Sequence, residues 1–393
     1  MSSKRTVLAA ACLVLTATLA LPTAASRASP AGKPGPAGQV GSTLAPIEKA
    51  HTFAQVRRGE TVRTLFVISL SDDKVTAVDL SELADLHSVD AFDVINRFSA
   101  AQLDAIGRQP QRLHTYPVER LIGVGPRGLA QVAAGTNYPA HGDEVGVDGT
   151  FLFPKLSAAA GPRSAVAAAP GALMDYEVEV CARFDRELRS VADFDEARKG
   201  LFICGDFSDR ATMVRNLDLK NIVSGDGFPD AKSGPDRFPA GAFLVVPKDW
   251  KAFMNELVIE TWVDGERRQH VRAADMIKDL RAIVKETLDE GATRTWSYRG
   301  GRIPMLARTA IGTDSAVLTG TGDGVIFQQP APDVLKQLMQ ARDRPQQLAV
   351  IEKYLAGEVA KRIYLQPGNQ VTYASNHLGT IHSRVVAPGR PHK

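Results

Sequence analysis

The sequence of 393 residues predicts an α+β fold with a mostly β core, because short apolar runs recur at regular intervals and helical patterns are few. Strands joined by Gly- and Pro-rich connections are expected at 150–153, 176–183, 201–207, 242–246, 257–263 and 316–318. One helix is expected at 275–287. Apolar residues return at helical spacing over 331–363, and strand-like segments follow at 370–373 and 380–386. We therefore interpret 331–363 as a helical insertion near the C-terminus.

The first residues have the pattern of an export signal. Lys4 and Arg5 precede an apolar run over 7–21, and small residues follow up to Ala28, where a peptidase could cut. The run is shorter than the roughly 20 residues that span a bilayer, so we expect no stable membrane span after cleavage. We assign 1–28 to a signal peptide and expect an exported protein, periplasmic or secreted. The general secretory route is expected, with a twin-arginine-like signal as the alternative.

Three segments follow the signal. Residues 29–46 are rich in Pro, Gly and Ala and predict a flexible tether. Residues 47–134 contain a hairpin pattern around a turn at 71–73 and then short helices, which predicts a small N-terminal α+β domain. Residues 135–393 form a larger second domain that contains the helical insertion.

The charge balance argues against a nucleic-acid partner. Loss of the signal removes three basic residues and no acidic one, which leaves 44 of each sign in the mature chain. A neutral chain has no global electrostatic attraction for a polyanion.

Two cysteines, Cys181 and Cys204, remain after the signal is removed, in what we expect to be an oxidising compartment. They could form one bridge. We prefer the alternative that both are small, buried, unlinked side chains.

Three carboxylates form the main chemical signal. Glu177 and Glu179 stand two residues apart in an apolar strand pattern, so their side chains share one face, and Asp206 follows a second apolar run. A solvent-exposed face is the ordinary explanation for such a pair. Three oxygen donors without a His/Cys cluster instead suit a hard cation, Mg²⁺ or Mn²⁺, with Ca²⁺ as a competitor. Arg210 and Lys232 can balance surplus negative charge and hold an anionic substrate.

A histidine and an acid provide a candidate base. His141 precedes Glu144 by three residues, so one helical turn would let the carboxylate orient the imidazole as it takes a proton from water. In isolation His141 would be read as a surface-loop histidine.

Several motifs resemble, in chain order, those of the fumarylacetoacetate hydrolase family. They are Asn137-Tyr138-Pro-Ala-His141-Gly-Asp-Glu144, Phe151-Leu-Phe153-Pro-Lys155, Glu177-Val-Glu179, Gly205-Asp206-Phe-Ser208-Asp-Arg210, Ala231-Lys232-Ser233, Asp264-Gly265-Glu266-Arg-Arg-Gln269 and Thr319-Gly320-Thr321. The resemblance covers about two thirds of the chain, from Gly135 to Val386, and so many motifs in one order make chance unlikely as their source.

The resemblance implies a mixed β-sandwich roll that binds one divalent cation and forms a homodimer, with 135–393 as the catalytic domain. Carried over position by position, the site residues are the metal ligands Glu177, Glu179 and Asp206, the catalytic residues His141, Glu144 and Lys232, and the substrate-binding residues Tyr138, Arg210 and Thr321.

The implied function is hydrolysis of the C–C bond of a small acylpyruvate-like or β-diketo acid. A cation that chelates a 2-oxo acid polarises its carbonyl and stabilises an enolate, while His141 and Glu144 activate water. The alternatives are isomerisation, decarboxylation or hydration of an oxo-dienoate at the same site, or a non-catalytic exported protein that binds a small oxo acid or a partner. Met213 stands where several hydrolases of the family carry glutamine, and Gly322 stands where a loop proline is usual. These departures concern the substrate more than the fold.

Overall fold

The computed structural model describes residues 42–71, 73–306 and 308–389. The predicted signal, most of the predicted tether and Asp72 of the predicted turn lie outside this range. Within the described residues, no helix is both long and apolar enough to cross a membrane.

Strands dominate the described chain. The first are β1 (Ala50–Arg58), β2 (Thr61–Leu70), β3 (Lys74–Asp79), β4 (Leu113–Pro117), β5 (Leu121–Ile122), β6 (Ala130–Gly135), β7 (Phe151–Leu156), β8 (Arg163–Ala167), β9 (Met174–Asp175) and β10 (Val178–Phe184). The others are β11 (Lys199–Gly205), β12 (Ser208–Asp209), β13 (Phe243–Pro247), β14 (Val258–Val263), β15 (Glu266–Arg272), β16 (Thr295–Tyr298), β17 (Gly301–Pro304), β18 (Val317–Leu318), β19 (Gln370–Ser375) and β20 (Gly379–Val386).

The helices are short, apart from one near the C-terminus. They are α1 (Leu80–Leu83), α2 (Ala91–Ile95), α3 (Ala100–Arg108), α4 (Pro139–Val145), α5 (Val191–Glu196), α6 (Arg210–Asn216), α7 (Phe228–Lys232), α8 (Trp250–Glu256), α9 (Leu280–Glu290), α10 (Pro332–Gln340) and α11 (Arg344–Lys361).

Two sheets organise these elements. The larger has the strand order β4-β3-β2-β1-β13-β11-β10-β18-β6-β7, with β5 beside β1, and the smaller has the order β15-β14-β19-β20-β8. Strands β10 and β11 lie near the middle of the larger sheet, pair antiparallel and are fully buried. The predicted α+β architecture with a mostly β core is confirmed.

The predicted domain boundary between residues 134 and 135 falls inside β6. Strand β1 of the predicted N-terminal domain also pairs with β13 of the predicted catalytic domain, so both contribute to one sheet. The assignment of separate domains stays a prediction.

Some element boundaries differ from the sequence-based expectation for local reasons. The helix expected at 275–287 begins at Leu280, because the Asp279 carboxylate caps it by accepting from the Ala282 N–H. The helical insertion consists of α10 and α11, and Asp343 and Pro345 begin the second helix.

Candidate metal centre

The antiparallel pairing of β10 and β11 brings the three predicted metal ligands together. Glu177 lies just before β10 and Asp206 just after β11, so both stand at the same end of the strand pair. The Asp206 N–H donates a hydrogen bond to the Glu177 carbonyl at 2.9 Å. Glu179 follows within β10. One oxygen from each of the three carboxylates lies within 4.8 Å of the others, and all three residues are buried. A solvent-exposed face is therefore excluded for them.

Two lysines neutralise part of this charge. Lys232, at the end of α7, places its Nζ 2.7 Å from Glu177 Oε1 and 2.9 Å from Asp206 Oδ2. Lys155, from β7, is fully buried and places its Nζ 2.6 Å from Asp206 Oδ1. Burial lowers the pKa of Lys232, but the two carboxylates outweigh burial and raise it overall. The two ammonium groups thus hold Asp206 from both sides.

An arginine supports the first glutamate. Arg210 donates from its Nη2 to Glu177 Oε1 at 2.8 Å and from its Nε to Asp175 Oδ2 at 2.9 Å. Asp175 also accepts from the N–H groups of Ile326 and Phe327, at 3.0 Å each. Burial opposes ionisation of Glu177, yet the nearby cations dominate and lower its pKa to about 2.

Glu179 has a different environment. Its Oε2 accepts from the Gly320 N–H at 2.6 Å, and no Lys, Arg or His nitrogen of the described residues lies within salt-bridge distance of it. Burial, and then the Asp206 and Glu177 carboxylates, raise its pKa well above the ordinary value. A buried carboxylate beside two others is stable as an anion only if a further positive charge is supplied.

The donor set fits a hard divalent cation. The centre contains four carboxylates and three side-chain cations: ion pairs connect Asp175, Glu177, Asp206, Lys155, Arg210 and Lys232, and Glu179 lies beside them without an ion pair. Negative charge is in excess, and it is concentrated at the carboxylate without a cationic partner. Glu177, Glu179 and Asp206 would hold Mg²⁺ or Mn²⁺ through oxygen atoms, the ligands that these ions prefer.

His141 and Glu144 lie in the short helix α4. Pro139 occupies its first turn, and Gly146, with φ of 69°, ends it in the left-handed conformation. The His141 Nδ1 lies 3.1 Å from Glu144 Oε2, and His141 is buried. Glu144 Oε1 in turn accepts from the Gly324 N–H at 3.1 Å and from Gln328 Nε2 at 2.9 Å. A neutral His141 that donates from Nδ1 to Glu144 keeps Nε2 as a proton acceptor.

The loop that contains Thr321 is fixed by Gln269 of β15. Gln269 Nε2 donates to Thr321 Oγ1 at 2.9 Å, and Thr321 Oγ1 donates to the Val178 carbonyl at 2.9 Å. The hydroxyl proton is therefore engaged within the protein. Tyr138 is buried at the start of α4 and does not line the cavity described below; burial raises its pKa above the ordinary value. The substrate-binding roles of both residues stay predictions.

A cavity of about 120 Å³ adjoins the centre. Five of the predicted site residues line it: His141, Glu177, Arg210, Lys232 and Thr321. Most of the remaining wall is apolar and comes from α4, α6, α7, α10 and the connection after α6. The helical insertion therefore forms part of the candidate site.

The preference for two unlinked cysteines is wrong. Cys181 and Cys204 form a disulfide with a Cα–Cα distance of 5.9 Å. In the β10–β11 register Cys204 is opposite Glu179, and Cys181 is two residues further along the same face. The cross-link therefore joins β10, which contains Glu179, to β11, which Asp206 directly follows. The two cysteines are diagonal neighbours, and this can be recognised only once the two strands are known to be adjacent.

The mixed α+β fold and the buried acidic centre beside a cavity are features of a metal-dependent enzyme. Comparison with known families identifies the family: the model of the fumarylacetoacetate hydrolase C-terminal domain matches residues 130–386. The chain belongs to the fumarylacetoacetate hydrolase family, whose members are enzymes.

Solved structures share the fold at low sequence identity. A 2-hydroxyhepta-2,4-diene-1,7-dioate isomerase from Mycobacterium marinum is 18% identical with a TM-score of 0.52, and a fumarylacetoacetate hydrolase from Exiguobacterium antarcticum is 17% identical with a TM-score of 0.54. In both comparisons 86% of this chain aligns with 100% of the other. A sequence comparison with curated proteins gave no match.

The sequence-based reasoning missed Lys155, Asp175 and Gln269 as members of the centre. Each had a local signal. Lys155 lies near the end of an otherwise apolar strand, Asp175 stands two residues before Glu177, and Gln269 occupies a position in one of the family motifs. Their partners are distant in sequence, so the contacts themselves had no sequence signal.

Proposed function

We propose that the protein is a divalent-metal-dependent hydrolase that cleaves the C–C bond of an acylpyruvate-like or other β-diketo acid. The observation that carries this proposal is the placement of the acidic centre and the His141–Glu144 pair beside one cavity. A metal site alone would suit many reactions. A base oriented beside it suits one that activates water.

Each site residue has a separate role in the proposed reaction. Arg210 and Lys232 supply positive charge where an anionic substrate enters, and Glu144 orients His141. His141 Nε2 takes a proton from water as the water oxygen attacks the acyl carbonyl carbon. The bond between that carbon and the adjacent methylene carbon then breaks, its electron pair stays with the methylene carbon, and His141 returns the proton there. The products are a carboxylic acid and pyruvate. A divalent cation held by Glu177, Glu179 and Asp206 would supply Lewis-acid polarisation of the oxo acid.

The test is turnover of acylpyruvates by the mature protein with Mg²⁺ or Mn²⁺, repeated with a chelator. We expect pyruvate and the free acid to form in equal amounts, and only when metal is present. Glu144→Gln should lower the rate without changing the products. Metal-independent turnover would contradict the assignment of the centre, and binding of oxalate or pyruvate without turnover of any acylpyruvate would contradict hydrolysis.

Isomerisation is the second candidate, because proteins of the same fold are named as isomerases. A base that takes a proton from one carbon and returns it to another needs no water, and the His141–Glu144 pair could perform that step. Product analysis separates the two reactions, since isomerisation leaves the carbon skeleton intact.

We also propose that the mature protein is exported and acts as a homodimer. The signal pattern of residues 1–28 supports the first part, and family membership supports the second. N-terminal sequencing of protein recovered outside the cytoplasm would test export, and light scattering during gel filtration would test the assembly state.

A further inference from the structure

The wall of the cavity changes from charged to apolar along helix α6. Arg210, at its first position, contacts Glu177, whereas Met213 and Val214, one turn later, line the cavity with apolar surface, as does Leu217 at the helix end. Positions three, four and seven residues apart share one helical face. At a rise of about 1.5 Å per residue, the apolar part of this face extends roughly 10 Å from the arginine.

Helix α7 shows the same gradient. Lys232, at its end, contacts the acidic centre, and Phe228, one turn earlier, lines the cavity and packs against the rings of Phe151 and Phe153 at centroid distances of 4.7 and 5.3 Å. Two separate helices thus present a charged group toward the centre and apolar groups away from it.

Helix α10 of the insertion adds to the apolar part. Leu335 and Leu338 are three residues apart on one face, and both line the cavity. Leu338 is half-buried and packs on the hydrophobic core, whereas the adjacent Met339 is 88% exposed and does not line the cavity.

The basic side chains among the described residues that line this cavity are His141, Arg210 and Lys232. Arg210 and Lys232 each already contact two carboxylates of the centre. A second carboxylate at the far end of a substrate would therefore be transferred from water into mostly apolar surroundings without a cationic partner, which is strongly unfavourable.

We infer that the site selects oxo acids that have a single carboxylate and an apolar tail of several carbons, and rejects those with a second carboxylate at the far end. The inference rests on the proposed function for its reaction, but it concerns the part of the cavity that binds the tail. Met213 and Leu338 are the specificity-determining residues.

Binding is tested separately from turnover, by calorimetric titration of the Mn²⁺-loaded protein with oxo acids that it cannot cleave. We expect affinity to rise about fourfold for each added methylene from pyruvate to α-ketovalerate to α-ketooctanoate, until the cavity is filled. α-Ketoglutarate should bind about tenfold or more weakly than α-ketovalerate, which has the same chain length without the second carboxylate. Equal affinity across the series, or preference for α-ketoglutarate, would overturn the inference.

The matched variants are Leu338→Lys and Met339→Lys, which add the same charge to the same helix. Leu338→Lys should reduce the advantage of α-ketovalerate over α-ketoglutarate by about tenfold, because the new ammonium provides the missing partner. Met339→Lys should leave the ratio unchanged. Circular dichroism shows whether each variant is folded. If a variant does not fold, the ligand series on the wild-type protein still tests the inference. If both variants changed the affinity ratio equally, the added charge and not its position would be the cause, and the role of Leu338 would be overturned.

Turnover then distinguishes this inference from the proposed function. With acetyl-, hexanoyl- and succinylpyruvate as substrates, we expect kcat/KM to be highest for hexanoylpyruvate and lowest for succinylpyruvate. If none is cleaved while the binding series shows the tail preference, the proposed hydrolysis fails and the inference holds. If acetyl-, hexanoyl- and succinylpyruvate are cleaved with equal kcat/KM, hydrolysis holds and the inference fails.

Discussion

Replacing Glu179 with glutamine is expected to stabilise the metal-free protein, although it removes a predicted metal ligand. Glu179 is buried, has no cationic side chain within salt-bridge distance among the described residues, and lies within 4.8 Å of two other carboxylates. At an effective dielectric constant of about 20, two like charges at that distance repel by about 3.5 kcal/mol, and burial and this repulsion raise the pKa of Glu179, so the metal-free folded protein bears either the repulsion or the cost of protonating Glu179. Lys232 lies against both neighbouring carboxylates and offsets part of this repulsion. We therefore expect Glu179→Gln to raise the free energy of unfolding by about 1–3 kcal/mol.

Glu177→Gln is the matched control, because the same chemical change occurs at a carboxylate with cationic partners. Glu177 contacts Lys232 at 2.7 Å and Arg210 at 2.8 Å, and all three side chains are buried. Removing one member of a buried ion pair typically costs about 3–5 kcal/mol, since the remaining charge is left without compensation. The two isosteric substitutions should therefore change stability in opposite directions.

The assay is urea unfolding of chelator-treated protein with the disulfide intact, repeated with excess Mg²⁺ or Mn²⁺. A metal at 100 times its Kd should stabilise the wild type by about 2.7 kcal/mol. Glu179→Gln should lose most of this metal-dependent gain. If Glu179→Gln destabilised the metal-free protein as much as Glu177→Gln, the charge argument for the centre would be refuted.

Three further predictions concern other residues. Lys155→Met should lower the free energy of unfolding by about 3–5 kcal/mol, because Asp206 loses a fully buried partner at 2.6 Å; a urea titration that shows less than about 1 kcal/mol would contradict this. His141→Asn should lower kcat on acylpyruvates by about 10²–10⁴ while the stabilisation by Mn²⁺ persists, and loss of both would mean that the substitution disturbs the centre itself. Burial lowers the pKa of His51 below 6.5, so the unfolded chain takes up a proton more readily than the folded one. Stability should therefore decrease as the pH falls below about 6.5, and His51→Gln should show a shallower decrease in urea titrations at several pH values.

Those parts of the centre that depend on local spacing could be predicted from the sequence. Glu177 and Glu179 are two residues apart near an apolar strand, and His141 and Glu144 are three apart in a segment that Pro139 and Gly146 limit to one short helix. The distance between the His141 and Glu144 side chains follows from the geometry of one helix, and Glu177 lies just before β10 with only one residue between it and Glu179. The structure therefore brings each pair together as its spacing indicates.

The parts that depend on which strands are neighbours could not be predicted. Lys155 reaches Asp206 from β7, across 51 residues of sequence. A lysine at the end of an apolar strand was a visible signal, but a solvent-exposed strand end explains it equally well. Likewise, the Cys181–Cys204 bond requires β10 and β11 to be adjacent in one particular register. Residue spacing along the chain contains no such information.

The composition of the cavity wall is the third feature that the sequence does not reveal. Helices α6 and α10 are more than a hundred residues apart, yet Met213 and Leu338 line the same cavity. Met213 stands where several hydrolases of the family carry glutamine, and the helical insertion interrupts the strand pattern of the second domain. In the structure the two departures meet, so the loss of a polar contact and the gain of an apolar helix change the same surface.

The disulfide and the acidic centre are connected through the energetics of β10 and β11. In the metal-free protein, repulsion between carboxylates favours separation of the strand ends that bear Glu179 and Asp206. The Cys181–Cys204 bond joins the same two strands directly beside Glu179, and the linked positions are 23 residues apart in sequence. A cross-link that closes a loop of this size stabilises a protein by about 3 kcal/mol, similar to the repulsion within one carboxylate pair. The folded strand pair can therefore keep three buried carboxylates close together before a cation binds, because the cross-link destabilises the unfolded chain by about as much as the carboxylate repulsion costs the folded one.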